Sequence, residues 1–401
     1  MPETSFSGQC ARSPQAHAPG WLILLFSVAS GLAVANVYFA QPLLASMAAE
    51  LHVTTEAIGS VVSATQAGYG AGLLLLVPLG DLIERRLLIT GMLLISSVAL
   101  TAVGFAAEYY TLLIAMTAVG LMAVVVQVFV ASASTLSTPG ARGRAVGTVT
   151  GGIVLGILLA RLAAGILADL AGWRAIYLLS AALVVMMAIL LWRVFPSQRA
   201  ERAETTYRQI LLSVALLFFT EKLLRIRAIL ALLIFMSFSI LWTSLVLPLS
   251  AAPYFFNHTQ TGLFGLAGGA GALAASRAGR WADRGYGQRT SGLALCVLAA
   301  SWLPLSMAQS SILLLILGIV MLDFAVQAVH VTNQSLIFAA RPEAASRLVS
   351  AYMFFYSAGS GVGALLATLT YSAWGWTGVC LTGALVSVTA LIFWRFTRHR
   401  G

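Results

Sequence analysis

Charge is scarce in this chain: only 9% of its 401 residues are Asp, Glu, Lys or Arg, and a single lysine, Lys222, occurs in the whole length. So few charges cannot solvate the surface of a soluble domain of this size, and 60% of the residues are hydrophobic. Cysteine is equally sparse. Cys10, Cys296 and Cys380 lie too far apart to form a disulfide framework or a metal site. Lys222 follows Glu221, so it cannot complete a P-loop, and neither His-Glu-x-x-His nor Gly-x-Ser-x-Gly is found. These gaps argue against ATP-driven pumping and against an intramembrane hydrolase, and no metal or cofactor is expected. The ten-residue alternating segments of an outer-membrane barrel are missing as well.

What is present is a succession of apolar runs of about 20 residues, the length that carries a helix across the hydrocarbon of a bilayer. Twelve are expected, over residues 21–45, 56–80, 87–107, 111–136, 145–168, 174–195, 228–250, 261–281, 291–308, 312–339, 348–371 and 377–396. The polar first twenty residues lack a basic n-region, and the run after them is too long for a signal peptide, so it reads as the first span. The net charge of +10 does not point to nucleic acid, because the basic residues cluster between apolar runs. Of 23 basic residues, 21 fall on the side that carries both termini, or at span ends facing it. By the positive-inside rule that side is cytoplasmic, which predicts an inner-membrane protein with both ends inside.

Between the sixth and seventh runs, residues 196–227 hold Arg199, Arg202, Arg208, Lys222, Arg225 and Arg227 around a ten-residue apolar core, Ile210 to Phe219. Ten residues do not cross a bilayer. An in-plane interfacial helix or a solvated basic loop joining two halves are the open readings. The expected organisation is a tail (1–20), a six-helix bundle (21–195), the linker (196–227), a second six-helix bundle (228–396) and a short tail (397–401).

The two bundles are related to each other. Asp81 and Asp283 are 202 residues apart and each leads into arginines, Arg144 and Arg347 are 203 apart, and so are Trp173 and Trp376. Three anchors at nearly one offset indicate a duplicated six-helix unit. Small residues repeat every fourth position in the second, fifth, eighth and eleventh spans, for example Gly68 and Gly72, Gly152 and Gly156, Gly265 and Gly269, Gly359 and Gly363. Such stripes let helix backbones approach closely, and their period of three helices suggests two three-helix units per half.

The tenth span carries the chemistry. Asp323, Gln327, His330 and Gln334 recur at spacings of 4, 3 and 4, which puts them on one helical face. A carboxylate there must face protein or water, and burial can raise its proton affinity into the range where it loads and unloads near neutral pH. Asp323 is thus either a coupling or substrate group, or a structural carboxylate satisfied by hydroxyls or an arginine. Its first-half counterpart is Gly120, so the fold unit does not demand the charge. Arg161, the one cation well inside a span, either pairs with Asp323, attracts an anionic substrate, or braces backbone carbonyls. His330 is a proton-relay candidate or a hydrogen-bonding residue. Pro42 and Pro248 should bend the first and seventh spans.

The stretches Gly279-Arg-Trp-Ala-Asp283-Arg284-Gly-Tyr-Gly-Gln-Arg289 and Pro78-Leu-Gly-Asp81-Leu-Ile-Glu-Arg85-Arg86 resemble the paired loop signature of the major facilitator superfamily. Asn36-Val-Tyr-Phe-Ala-Gln41-Pro42, Gly156-Ile-Leu-Leu-Ala-Arg161 and Gly375-Trp-Thr-Gly-Val are similar to a bacterial branch near the drug:proton antiporters. The chain departs from the pattern at Leu82 and Glu84 in the first loop copy, at Met116 in place of a fourth-span arginine, and at Arg161 in place of the antiporter Gly-Pro. The resemblance implies an all-α fold of twelve transmembrane helices in two pseudo-symmetric halves. Spans 1, 4, 7 and 10 would line a central cavity, and spans 2, 5, 8 and 11 would form the interface on which the halves rock. Asn36, Tyr38, Gln41, Gln127, Trp242, Gln327 and Gln334 then become cavity candidates, and Asp81, Arg85, Arg86, Gly279, Asp283, Arg284 and Arg289 a cytoplasmic latch. Amide and aromatic groups suit an amphipathic organic ligand better than a metal ion. The expected function is secondary transport of small organic molecules by a monomer, with proton-coupled efflux leading and symport or facilitated import as alternatives. Its partners would be the small-molecule substrate and the lipid bilayer, with the proton gradient in place of a cofactor.

Overall fold

In a computed structural model, residues 19–138, 140–196, 207–274, 285–340 and 345–398 are described. In hydrocarbon every backbone N–H and C=O needs a partner within the chain, and a continuous helix provides it. Accordingly the first half consists of α1 (Gly20–Glu50), α2 (Thr55–Gly80), α3 (Arg85–Gly104), α4 (Tyr109–Thr135), α5 (Arg142–Ala171) and α6 (Arg174–Val194). The second half holds α7 (Lys222–Leu249), α8 (His258–Ala274), α9 (Gly287–Ser306) and α10 (Ile312–Ala340). Its last stretch, Ala345–Thr397, breaks at Gly375, whose φ of 61° an L side chain rarely adopts; the break separates α11 (345–374) from α12 (376–397). Nine segments among the described residues are long and apolar enough to cross a membrane, the α11–α12 stretch counting as one of them. With α8 and α9, and with that stretch counted as two, the helices of the two halves among the described residues number twelve, as the sequence predicts.

Local chemistry explains the bends. Around Pro42 the first helix passes through a 3-10 turn at Gln41–Leu43, and near Pro248 the seventh is offset at Leu245. Large apolar side chains such as Val98, Ile114, Leu170, Leu313 and Leu385 are exposed around the outside. That belt is the surface lipid covers.

Packing repeats across the duplication. In the first half α1 packs on α5, α2 on α4 and α3 on α6; in the second, α7 packs on α11, α8 on α10 and α9 on α12. Across the halves α2 meets α11 and α5 meets α8. These four helices form the inter-half interface, but the small-residue stripes do not all lie there. A Cβ on Gly68 would stand 2.0 Å from the Thr117 carbonyl of α4, one on Gly156 2.3 Å from the Gly31 carbonyl of α1, and one on Gly359 2.1 Å from the Leu232 carbonyl of α7. Three stripes therefore serve crossings inside a half. Only the α8 stripe reaches the opposite half: a Cβ at Gly269 would meet Leu158 of α5. A four-residue repeat specifies close approach, not which neighbour approaches.

In the linker a helix runs over Tyr207–Thr220. Tyr207 donates to the Leu75 carbonyl of α2 at 2.7 Å, and the Phe218 ring stacks on Phe355 of α11 with centroids 4.8 Å apart. The helix thus touches both halves. Leu212, Leu216 and Phe219 are left exposed.

Candidate functional site

A cavity of about 350 Å³ lies between the halves. At its mid-depth wall stand Tyr38 of α1, Arg161 of α5 and Asp323 of α10; toward the linker end the lining continues through Gln127, Gln327, His330, Gln334 and Val349. At the other end the halves are fastened together. Asp169 of α5 accepts from the backbone N–H groups of His258 and Thr259 at 3.1 and 2.8 Å, so a carboxylate of one half caps the first turn of α8 in the other. His258 also pairs with Asp169 through Nδ1 at 2.7 Å and lies 2.5 Å from Ser46 Oγ through Nε2. Alongside, Thr368 and Ser372 of α11 donate to the backbone carbonyl and the carboxylate of Glu56, at 2.9 and 2.7 Å.

Asp323 and Arg161 do not form a salt bridge. One indole stands between them. Trp242 Nε1 donates to Asp323 Oδ1 at 3.0 Å, while the Arg161 guanidinium carbon lies 3.7 Å above the centroid of the Trp242 ring. Arg161 Nε donates to Gln41 Oε1 at 2.9 Å, and the rings of Tyr38 and Phe238 stand 5.3 and 5.8 Å from its Cζ. All three residues are at most 5% exposed: Arg161 at 3%, Trp242 at 3% and Asp323 at 5%. Opposite charges a ring's width apart, at an effective dielectric near 20, attract by about 2–3 kcal/mol. Each therefore senses the other without contact.

How the chain makes room for this carboxylate follows from the duplication. The α2–α4 crossing is so tight that a Cβ on Gly120 would stand 1.9 Å from the Thr65 carbonyl. The equivalent residues, 203 positions on, are Asp323 and Gly268. In the second half the glycine has moved to the other helix: a Cβ on Gly268 would fall 2.2 Å from Asp323 Oδ2 and 2.6 Å from Trp242 Cζ2. The neighbouring contacts match too, with Gly68 on the Thr117 carbonyl and Gly271 on the Val320 carbonyl. At this one pair of facing positions the glycine sits on α4 in the first half and on α8 in the second, which leaves α10 to carry the charge.

The cavity gathers Tyr38, Gln127, Arg161, Asp323, Gln327, His330 and Gln334 from the predicted residues. Asn36 turns away, accepting from Ser180 of α6 at 2.6 Å. Gln41 and Trp242 lie behind Arg161, around a separate, water-sized space of about 10 Å³ shared with Thr261. The lining also draws on α2, α5, α8 and α11, which the expected set of spans 1, 4, 7 and 10 omitted. Among the described residues, the α5–α8 approach at Gly262, Gly265 and Gly269 against Arg161 and Leu158 brings these interface helices up to the wall. His330 Nδ1 lies 3.0 Å from the Tyr352 hydroxyl. Of the latch candidates, Gly279, Asp283 and Arg284 and the side chain of Asp81 lie outside the described residues. Contacts of Arg85 and Arg86 include Thr135 of α4 and the Trp192 ring of α6, both in the first half, and Arg289 lies against Tyr286.

Sequence reasoning missed Trp242 as the piece joining the two charges, Gly268 as the seat of the carboxylate, and Arg227. Assigned to the linker, Arg227 is instead part of α7 and 1% exposed, with Nη1 donating to Asn333 Oδ1 at 3.3 Å. Its position five residues beyond Lys222, at the start of an apolar run, was the available signal.

Two like six-helix halves around a charged cavity, fastened at one end, define a membrane transporter. The chain matches the family model described as Major Facilitator Superfamily over residues 26–284 and 227–401. It is 43% identical over 379 residues to "Uncharacterized transporter YgaY" of Escherichia coli O157:H7, covering 94% of this chain and 96% of that one. Among solved structures it is similar to a bacterial homolog of the human lysosomal transporter Spinster, in an inward-facing and occupied conformation, with a TM-score of 0.74, 14% identity and coverage of 94% and 96%. It is similar as well to the human organic anion transporter MFSD10, with a TM-score of 0.67, 17% identity and coverage of 94% and 100%. Those two likenesses are of fold alone. This chain belongs to the major facilitator superfamily.

Proposed function

We propose that the protein is a proton-coupled secondary transporter of small amphipathic organic molecules, working by alternating access in the bacterial inner membrane. The observation that carries this reading is Asp323: a buried carboxylate on the cavity wall at mid-depth, close to a cation but not neutralised by contact with it. A carboxylate that faces first one side and then the other exchanges its proton with each in turn. The positive-inside distribution supports a cytoplasmic location for the linker end, toward which the cavity extends. A volume of about 350 Å³ suits a small organic ligand, and the aromatic and amide lining suits an amphipathic one.

A single carboxylate serves either of two coupling modes. Exchange against protons gives efflux, and the resemblance to drug:proton antiporters supports it. Cotransport gives uptake, and the cation beside the carboxylate supports that mode. Reconstitution in liposomes under a pH gradient of either sign, with a panel of candidate substrates, tests the proposal. Gradient-driven accumulation is expected in the parent and lost in Asp323→Asn, with counterflow and the folded protein retained. Accumulation that ignores the gradient and survives Asp323→Asn would sink the coupling role.

A further inference from the structure

Arg161 carries hydrogen-bonding capacity that the bundle leaves unused. A guanidinium has five N–H donors. Among the described residues only the one on Nε has an acceptor, Gln41; Nη1 and Nη2 have none, and Nη2 is enclosed without a partner. Aromatic rings surround the group instead, and the nearest carboxylate, Asp323, gives one oxygen to Trp242 and makes no ion pair with it. Buried donors are nearly always satisfied, and charges within the membrane are retained where they serve a ligand or an ion path. The wall beside Arg161 continues in the amides of Gln127 and Gln327.

We propose that the cavity takes an organic monoanion, a carboxylate or sulfonate on an amphipathic body, that bonds the unpartnered Nη1 of Arg161, and that it travels with a proton on Asp323. This rests on the reading of the cavity as a transport site. The charge balance decides the coupling mode. With Asp323 ionised and no substrate, Arg161 and Asp323 sum to zero. An anion alone leaves one negative charge in a low-dielectric space, and a proton alone leaves one positive charge. Proton and anion together restore neutrality, so each favours the other's binding. The empty and the doubly loaded forms are the two neutral ones, and those are the forms that reorient at least cost. Exchange of a proton for an anion would instead send charged, half-loaded forms across. Cotransport follows, directed inward by an inward proton gradient. Among the described residues His330 also lines the wall, 3.0 Å from the Tyr352 hydroxyl; Arg227 stands behind it through Asn333, and the phenols of Tyr38, Tyr69 and Tyr356 complete the polar lining nearby. None of these takes the place of Asp323 beside Arg161.

The test uses three probes of one shape on the purified full-length chain: benzenesulfonate, which stays anionic at the working pH, benzamide and benzylammonium. Binding is read by thermal shift at pH 5.5 and 7.5, and flux in liposomes. Benzenesulfonate should bind at least ten-fold tighter at pH 5.5, and an acid-outside gradient should accumulate it. Binding should fall at least thirty-fold in Arg161→Gln and partly recover in Arg161→Lys. In Asp323→Asn the anion should bind equally at both pH values, with accumulation replaced by anion exchange; this arm stands even if Arg161→Gln does not fold. Failure of the parent to bind benzenesulfonate, tighter binding at pH 7.5, or unchanged binding in a folded Arg161→Gln overturns the proposal. Gradient-driven, Asp323-dependent accumulation of benzamide or benzylammonium overturns the anion assignment while the transport reading stands.

Discussion

Trp242 donates its indole N–H to Asp323 Oδ1 at 3.0 Å, and the face of the same indole carries the Arg161 guanidinium. The ring does two separable jobs. It orients the carboxylate through its edge and holds the cation through its π-face. Phenylalanine keeps a face and loses the N–H, and a hydrogen bond to a charged acceptor is worth about 1.5–3 kcal/mol. Trp242→Phe should therefore reduce gradient-driven accumulation at least ten-fold while folded yield changes little, read by flux and by size-exclusion profile. Trp242→Ala, which removes both, should lower the yield as well. Equal flux in the parent and Trp242→Phe would remove Trp242 from the coupling pair.

Gly268 faces Asp323 across the α8–α10 crossing, and a methyl group there would press on both the carboxylate and the indole. Gly268→Ala should thus cost most of the coupled transport, because the two side chains must shift together. Gly91 on α3 has nothing within 4 Å of its Cβ position. Gly91→Ala should raise stability by about 0.5–1 kcal/mol through helix propensity and leave flux unchanged. Parallel melting and flux measurements on the two variants separate a seat for the carboxylate from a general intolerance of alanine.

In the first half the same crossing is closed from the other helix. A Cβ on Gly120 would lie 1.9 Å from the Thr65 carbonyl, and backbone cannot yield as a side chain does. Gly120→Ala should destabilise by more than about 3 kcal/mol, at the severe end of single substitutions, and appear as loss of folded protein in detergent. A folded, active Gly120→Ala would show that α2 and α4 can separate there, and would undo the account of why the carboxylate occurs only in the second half.

Much of this site was legible in the sequence because membrane burial makes charge expensive: Asp323 and Arg161 stand out in apolar runs whatever the fold around them. The twelve helices and their duplication were legible for a similar reason, since length and offset survive without coordinates. Partnership was not. Neither the indole between the charges nor the cross-half cap of Asp169 on α8 leaves a pattern in one strand of sequence, because each depends on which helix faces which. The stripes at Gly68, Gly156 and Gly359 signalled close packing but not its partners, for the same physical reason. Asn36 reads as a cavity amide only until Ser180 of α6 is found to occupy it.

Asp169 makes the clearest prediction about the moving parts. Its two oxygens accept from the His258 and Thr259 backbones and it pairs with the His258 ring, so one carboxylate of α5 holds the first turn of α8 at the fastened end. Alternating access requires these contacts to break when the cavity opens there. A cap of this kind is worth about 1–2 kcal/mol. Its loss in Asp169→Ala should therefore shift the balance between the two cavity orientations roughly ten-fold toward opening at this end, every 1.4 kcal/mol being a factor of ten. Spin labels at Glu108 and Ser310, in loops of opposite halves at that end, should report it as growth of a longer-distance population. Asp169→Asn keeps an acceptor for the backbone and should give a smaller shift. If both variants leave the distances as in the parent, the fastening resides in Glu56 with Thr368 and Ser372 instead, and Glu56→Ala becomes the variant that opens it.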